Sequence, residues 1–205
     1  MESLALNKSS LKTERDRLKT FQRFLPSLDL KRQQLMVEFK SAQKVLIATR
    51  REIEEQIASL EGLLALLGST TMDLSGYVKV RAVELGKENV IGVRLPVLRG
   101  VEFGVEEYST LAKPYWVDTL VEYLQKVSTL RIREQVDRER VARMDEAVRK
   151  ITQRVNLFEK VLIPTAQKNI HRICIYLGDA DRAAVVRSKI VKAKRQQKVR
   201  QLEHR

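Results

Sequence analysis

Residues 154–167 read RVNLFEKVLIPTAQ. Val155 and Leu162 are seven apart, and Phe158 follows Val155 by three, which is the spacing of one face of a supercoiled helix. The stretch also carries Pro164. Proline has no backbone N–H, and its ring clashes with the carbonyl four residues back, here Lys160; in a helix interior this costs about 3 kcal/mol. A long amphipathic helix with a proline inside it sets the frame for the rest of the chain.

Extended backwards, the face holds to the neighbourhood of Trp116. Leu120, Val127, Val141, Val148, Val155 and Leu162 share one heptad position, with Glu134 the exception. Tyr123, Leu130, Met144, Ile151 and Phe158 sit three later, with Asp137 the exception. Beyond Pro164 apolar residues continue through Ile170, Ile173 and Leu177. Gly178-Asp179 is a weak point, and the helix resumes through Ala183, Val186 and Ile190 into a basic end.

The first third of the chain has the same pattern. Leu4, Leu11, Leu18, Leu25, Arg32, Phe39, Leu46, Ile53, Leu60 and Leu67 fall every seven residues, with only Arg32 breaking the apolar series. Phe21, Leu28, Leu35, Ala42 and Leu63 occupy the position three later. A seam sustained this far predicts a coiled coil. As a helix, residues 4–67 span roughly 95 Å, too long for the core helix of a compact domain.

Residues 68–115 differ in kind. Gly68, Gly76, Gly86, Gly92, Gly100 and Gly104 all fall here. Tyr77, Val78, Val80 and Val83, then Val90, Ile91, Val93 and Leu95, form two β-favouring runs. Leu85-Gly86-Lys87-Glu88 reads as the turn between them, and Pro96 ends the second run or places it on an edge. Two strands alone are marginal, so they must pack on the coil or on a partner. Trp116, after Pro114-Tyr115, reads as the anchor of this head on the second helix.

The expected fold is therefore mostly α. It is a long antiparallel two-helix coiled coil formed by the N- and C-terminal helices, with a small β-hairpin-containing head in the middle. The expected divisions are residues 1–67, 68–115 and 116–205. If residue 67 lies beside residue 119, paired positions sum to about 186 and Leu4 faces about position 182. The last twenty or so residues then overhang as an unpaired tip. Pro26 faces about position 160, within about one turn of Pro164, so the two prolines bend the rod at one level.

Composition narrows function. The 205 residues carry 39 Lys and Arg against 26 Asp and Glu, a net charge of +13, which suggests an acidic partner: nucleic acid, a membrane surface or an acidic protein. Cys174 is the lone cysteine, so no internal disulfide forms. The polar start, MESLALNKSSLK, is unlike a signal peptide, and no apolar run nears the roughly 18 residues of a membrane span. These features read as a soluble, cytoplasmic chain. Asn7-Lys8-Ser9 fits a glycosylation sequon that has no secretory context.

No phosphate-binding glycine loop, zinc motif or cysteine pair is present. His171 with Cys174 supplies at most two ligands, fewer than a metal site needs. Glu106-Glu107 read as solvated loop charges. No catalytic constellation, cofactor site or metal site is expected. From Arg187 to Arg205 there are eight Lys and Arg against one Glu. This end suits a solvated helix face, a nucleic-acid contact through counterion release, or insertion into a specific protein cavity. It lacks the interleaved aromatics on which bases stack.

Three segments carry a family resemblance. RVNLFEKVLIP resembles the C-terminal signature of the D subunits of V-type rotary ATPases, close to RRVNALExVxIP, at Arg154, Val155, Asn156, Glu159, Val161, Ile163 and Pro164, with Leu157-Phe158 in place of Ala-Leu. LDLKRQQLMVEF resembles that family's LLKxKRDxLxxEF at Leu28, Lys31, Arg32, Leu35, Glu38 and Phe39, with Gln33 for Asp. ENVIGVRLPVL is similar to its NxxGVxxP segment at Asn89, Gly92, Val93 and Pro96. Pro26 departs from the wider pattern, where a glycine-containing helical stretch is usual, and LPSLDLK is closer to a bacterial branch.

The resemblance implies the central stalk of a rotary motor, a non-catalytic shaft that passes torque between the A/B catalytic hexamer and the membrane rotor. It implies partners: the F subunit, the A/B hexamer and the protein capping the rotor ring. It implies no nucleic acid, and membrane association only through the complex. Lys189, Lys192, Lys194, Arg195 and Lys198 are then expected to meet the hexamer. Asn89, Gly92, Val93 and Pro96 are expected in the partner-binding head, and Pro26 and Pro164 at the bend. The alternative is a basic coiled-coil protein that binds nucleic acid or ribosomes.

Overall fold

The structure is a computed structural model and describes residues 4–59, 78–105 and 116–203, without the side chains of Val105 and of 198–203. Leu60, Leu63, Leu67, Gly68, Gly76, Tyr77, Glu106-Glu107, Pro114-Tyr115 and His204 lie outside the described residues, as does the expected boundary at 67/68. The elements are helix α1 (Lys8–Ser59), strands β1 (Val78–Val90) and β2 (Val93–Val105), helix α2 (Trp116–Leu157), a π-turn (Phe158–Leu162) and helix α3 (Ile163–Glu203). The chain divides into two units, Met1–Leu30 with Gln153–Arg205, and Lys31–Thr152.

In the first unit, α1 begins at an asparagine cap. Asn7 Oδ1 accepts the Ser10 N–H at 2.7 Å, and the Asn7 carbonyl accepts the Leu11 N–H at 3.1 Å. The side-chain bond satisfies one of the donors that the first turn of a helix leaves unpaired. Leu11, Leu18, Phe21, Leu25 and Leu28 are half-buried on one face. Across from them Val155, Ala166 and Ile173 are buried. The helices run antiparallel: Phe21 meets Phe158 edge to face, centroids 5.5 Å apart, and Asn169 Nδ2 donates to Glu14 Oε2 at 3.2 Å.

Those two contacts correct the expected level of the prolines. Pro164 lies between Phe158 and Asn169, so its level falls between Phe21 and Glu14 on α1. Pro26 lies on the other side of Phe21. At 1.5 Å per residue the two are about 16 Å apart along the axis, about three turns rather than one. α1 passes through Pro26 as an unbroken α-helix. Pro26 is exposed, so the Gln22 carbonyl deprived of its donor lies at the solvent face.

In the second unit, α1 buries Leu35, Leu46 and Ile53, and α2 buries Leu120, Met144, Val148 and Ile151. Thr49 pairs with Asp137, and Tyr123 Oη donates to the Gln56 carbonyl at 2.8 Å, again antiparallel. Thr49 with Asp137 matches the expected register, whereas Gln56 meets Tyr123 and, in the first unit, Phe21 meets Phe158, each a residue seven earlier than that register gives.

The two strands form an antiparallel hairpin. The expected turn at Leu85–Glu88 is not there: those residues pair with Leu98, Val97, Pro96 and Leu95, and the chain reverses at Ile91-Gly92, with φ of 51° and 84°. Two consecutive positive φ values match the twist of flanking strands, which is what a two-residue hairpin loop requires. Pro96 does not end β2. Its carbonyl points outward from β1, where it accepts Arg140 Nη1 at 3.0 Å. In an antiparallel strand a residue's N and O face the same side, so the missing N–H falls outside the ladder. Arg81 and Arg99 have no partner in the register, and each marks a β-bulge.

The hairpin packs on α2. Val78 at its root joins Trp116, Val117, Leu120, Val121 and Leu124 in one apolar cluster, so Trp116 anchors the head as expected. Further along, Arg143 Nη1 donates to the Arg94 carbonyl at 3.2 Å, and Arg140 Nη2 to Glu88 Oε2 at 3.1 Å. The outer edge of β2 is thus satisfied by arginines of a helix instead of by another strand.

Candidate functional site: a polar seam, a π-turn and an exposed basic tip

The residues that interrupt the heptads are paired. Glu134 and Asp137 are both 7% exposed, and Thr49 is 2% exposed. Thr49 Oγ1 donates to Asp137 Oδ2 at 2.9 Å. Glu134 Oε1 accepts Arg50 Nε at 3.0 Å and Arg138 Nη2 at 2.9 Å. The Arg50 bond, then the Arg138 bond, hold the Glu134 carboxyl below its ordinary range, against the opposing effect of burial. Burial pushes the Tyr123 hydroxyl up. In the first unit Glu14, 6% exposed, is held by Arg17 and Asn169. Buried polar pairs at seam positions specify register and partner. Sequence reading flagged Glu134 and Asp137 as exceptions but missed Glu14 and Thr49. Their signal was a polar residue recurring at the position three after Leu11 and Leu46.

The signature segment folds into the π-turn. The Ile163 N–H bonds to the Phe158 carbonyl, five residues back instead of four. Val155 is 2% exposed; Asn156, Ile163 and Pro164 are half-buried; Arg154 and Glu159 are exposed. The wider turn absorbs the proline ring that a four-residue repeat would drive into the Lys160 carbonyl.

The head residues separate. Gly92 forms the hairpin tip, and a Cβ there would sit 3.7 Å from Lys31 Nζ. Asn89 is exposed, whereas Val93 and Pro96 are half-buried. Arg99 lies across Gly86 and Arg81 across Gly104, so a Cβ on either glycine would require the arginine side chain to shift.

Every residue from 179 to 197 is exposed. Lys189, Lys192, Lys194 and Arg195 are among them, on a helix that also shows Val185, Val186, Ile190 and Val191 to solvent. The side chain of Lys198 lies outside the described set. His171 and Cys174 are exposed. Among the described residues no three His, Cys, Asp or Glu side chains cluster to hold a metal, and no helix is long and apolar enough to cross a membrane.

Paired heptad helices, a short hairpin laid on one of them and a bare basic helix end define the class of helical stalk proteins, which act through contacts along their length. Residues 10–193 match the profile of a family described as the D subunit of ATP synthase. A V-type ATP synthase D subunit from Borreliella burgdorferi is 36% identical over 196 residues, covering 94% of this chain and 95% of the relative. One from Chlamydia felis is 33% identical over 197 residues, covering 95% of each. The chain belongs to the ATP synthase D-subunit family. It is a central-stalk component of a V-type ATP synthase and works in a complex with other ATPase subunits. These relatives favour the stalk over the nucleic-acid alternative.

Proposed function

We propose that this chain is the non-catalytic rotor shaft of a V-type ATPase or synthase. It passes torque between ATP chemistry in the A/B hexamer and the membrane rotor. Its partners are the F subunit, the A/B hexamer and the protein capping the rotor ring, and it lies at the cytoplasmic face, bound to the membrane only through the complex. The domain roles follow: paired helices as shaft, the middle head as partner contact, the basic end as tip. The observation that carries the reading is the exposed stretch 179–197, a basic helix continuing past Leu177, the last half-buried apolar residue of the seam. Such an end suits insertion into an acidic protein cavity.

A shaft inside a threefold sleeve must present a different face to each catalytic interface, because coupling between sites needs differential contacts. The π-turn at Pro164, with Pro26 about three turns away on the facing helix, supplies that asymmetry. Asn89, Gly92, Val93 and Pro96 place the head for partner contact. Met36, Val37 and Ile47, exposed apolar residues on α1, suit a partner along the shaft.

The test is native mass spectrometry of this chain co-expressed with the A, B and F subunits of its own source. One copy with one F in a complex of three A and three B is the expected result. A homodimer, or a chain carrying nucleic acid and excluded from that complex, would overturn the proposal.

A further inference from the structure

The buried series on the C-terminal helix changes phase at the π-turn. Counting by heptads from Val155 and Phe158, the seam passes Leu162 and would next use Thr165, Asn169, Arg172 and Tyr176. Thr165, Arg172 and Tyr176 are exposed, and Asn169 is half-buried, its Nδ2 donating to Glu14 Oε2 at the edge of the interface. The residues turned inward are Ala166 at 3% and Ile173 at 0% exposure, with Ile170 and Leu177 half-buried. Each comes one position later than the heptad predicts. A π-turn holds one residue more than an α-turn, and here it spans Phe158–Leu162, where the phase changes. The backbone insertion and the side-chain pattern agree in place, size and direction.

Pro26 provides a control within the same unit. It too sits inside a long helix, yet Leu18, Phe21, Leu25 and Leu28 keep one phase across it, and the helix stays α. A proline alone therefore does not produce the π-turn. The out-of-phase apolar run after residue 164 demands an extra residue, and Pro164, which cannot donate to Lys160, fixes where it is accommodated.

We propose that Phe158–Leu162 is a phase-resetting joint. Its one inserted residue turns α3 by about 100°, the angle of one residue in a helix. That rotation keeps Ala166, Ile170, Ile173 and Leu177 on α1. It thereby sets the azimuth from which Arg187, Lys189, Lys192 and Arg195 project beyond the seam. The joint does not rest on the shaft proposal; only its consequence for a turning tip does.

The test uses the full chain with Cys174→Ser. Single cysteines are introduced as Thr165→Cys, Ala166→Cys, Arg172→Cys and Ile173→Cys, and labelled with a maleimide. Positions 165 and 172 are expected to react at least about tenfold faster than 166 and 173, as burial difference implies. Equal or reversed rates would overturn the joint. A second arm combines deletion of Glu159 with Pro164→Ala, which makes the heptad continuous. Its thermal midpoint should equal or exceed that of Pro164→Ala alone, with Ala166→Cys still protected. Deletion of Lys19, in an in-phase stretch, should lower the midpoint. A Glu159 deletion as damaging as the Lys19 deletion would also overturn the proposal.

Discussion

Thr49 and Asp137 stand 88 residues apart in the chain and share a hydrogen bond of 2.9 Å in the seam of the second unit. Both occupy positions where the heptad expects an apolar side chain. Removing one partner leaves a buried carboxylate short of a donor, which costs about 1–3 kcal/mol. Thr49→Val should therefore lower stability by about that amount in chemical denaturation. Thr49→Val with Asp137→Leu should recover most of it, because two apolar groups leave nothing unpaired. Purely additive losses in the double-mutant cycle would show that the pair does not couple.

Acid should dissolve the Glu134 contribution. The Arg50 and Arg138 bonds hold its folded pKa below the ordinary 4.5. A depressed folded value gives stability that is complete above 4.5 and lost as pH falls through the folded value. Arg50 and Arg138 side chains are 49% and 64% exposed, so solvent screening limits the effect to about 0.5–1 kcal/mol. The gap in melting temperature between the native chain and Glu134→Gln should be constant from about pH 7 to about pH 5 and close below that. A gap that widens as the pH falls below 4.5 would contradict the assignment.

The hairpin tip is strained. Ile91 holds a φ of 51°, a region that is costly for a β-branched residue and favourable for asparagine before glycine. Ile91→Asn should stabilise the isolated chain by about 1 kcal/mol. Unchanged or reduced stability would mean that the half-buried Ile91 side chain contributes more by packing than its backbone loses.

Arg140 ties the hairpin to α2 through the Pro96 carbonyl and Glu88. Arg140→Ala should cost about 1–2 kcal/mol and raise amide exchange in β1 and β2 before α1 or α2 responds. Uniform acceleration in all four elements would show that the hairpin is not a separable layer.

Replacing Lys189, Lys192, Lys194, Arg195 and Lys198 with glutamine should weaken assembly with the A/B hexamer and flatten its salt dependence, since exposed charges act over about 8 Å at physiological ionic strength. Titrating assembly against salt checks this. Identical curves for both chains would remove the tip from the interface.

The coil was legible in the sequence because a seam buried along its length must repeat every seven residues: Leu11, Leu18, Leu25, Leu46 and Ile53 all turn inward as the spacing requires. The basic tip was legible as the stretch where charge continues after the seam ends. Three things were decided only by tertiary structure. The turn moved from Leu85–Glu88 to Ile91-Gly92 because Pro96 could face α2, where Arg140 takes up its carbonyl. Val136, off the seam, became buried because β2 covers it; it shares a crevice with Val97 and Val101. The prolines separated along the axis because Phe21 chose Phe158. Local spacing reports which face of a helix is apolar. It does not report which residue of a distant segment will meet that face, since that choice is made by the packing and polar pairing of both elements together.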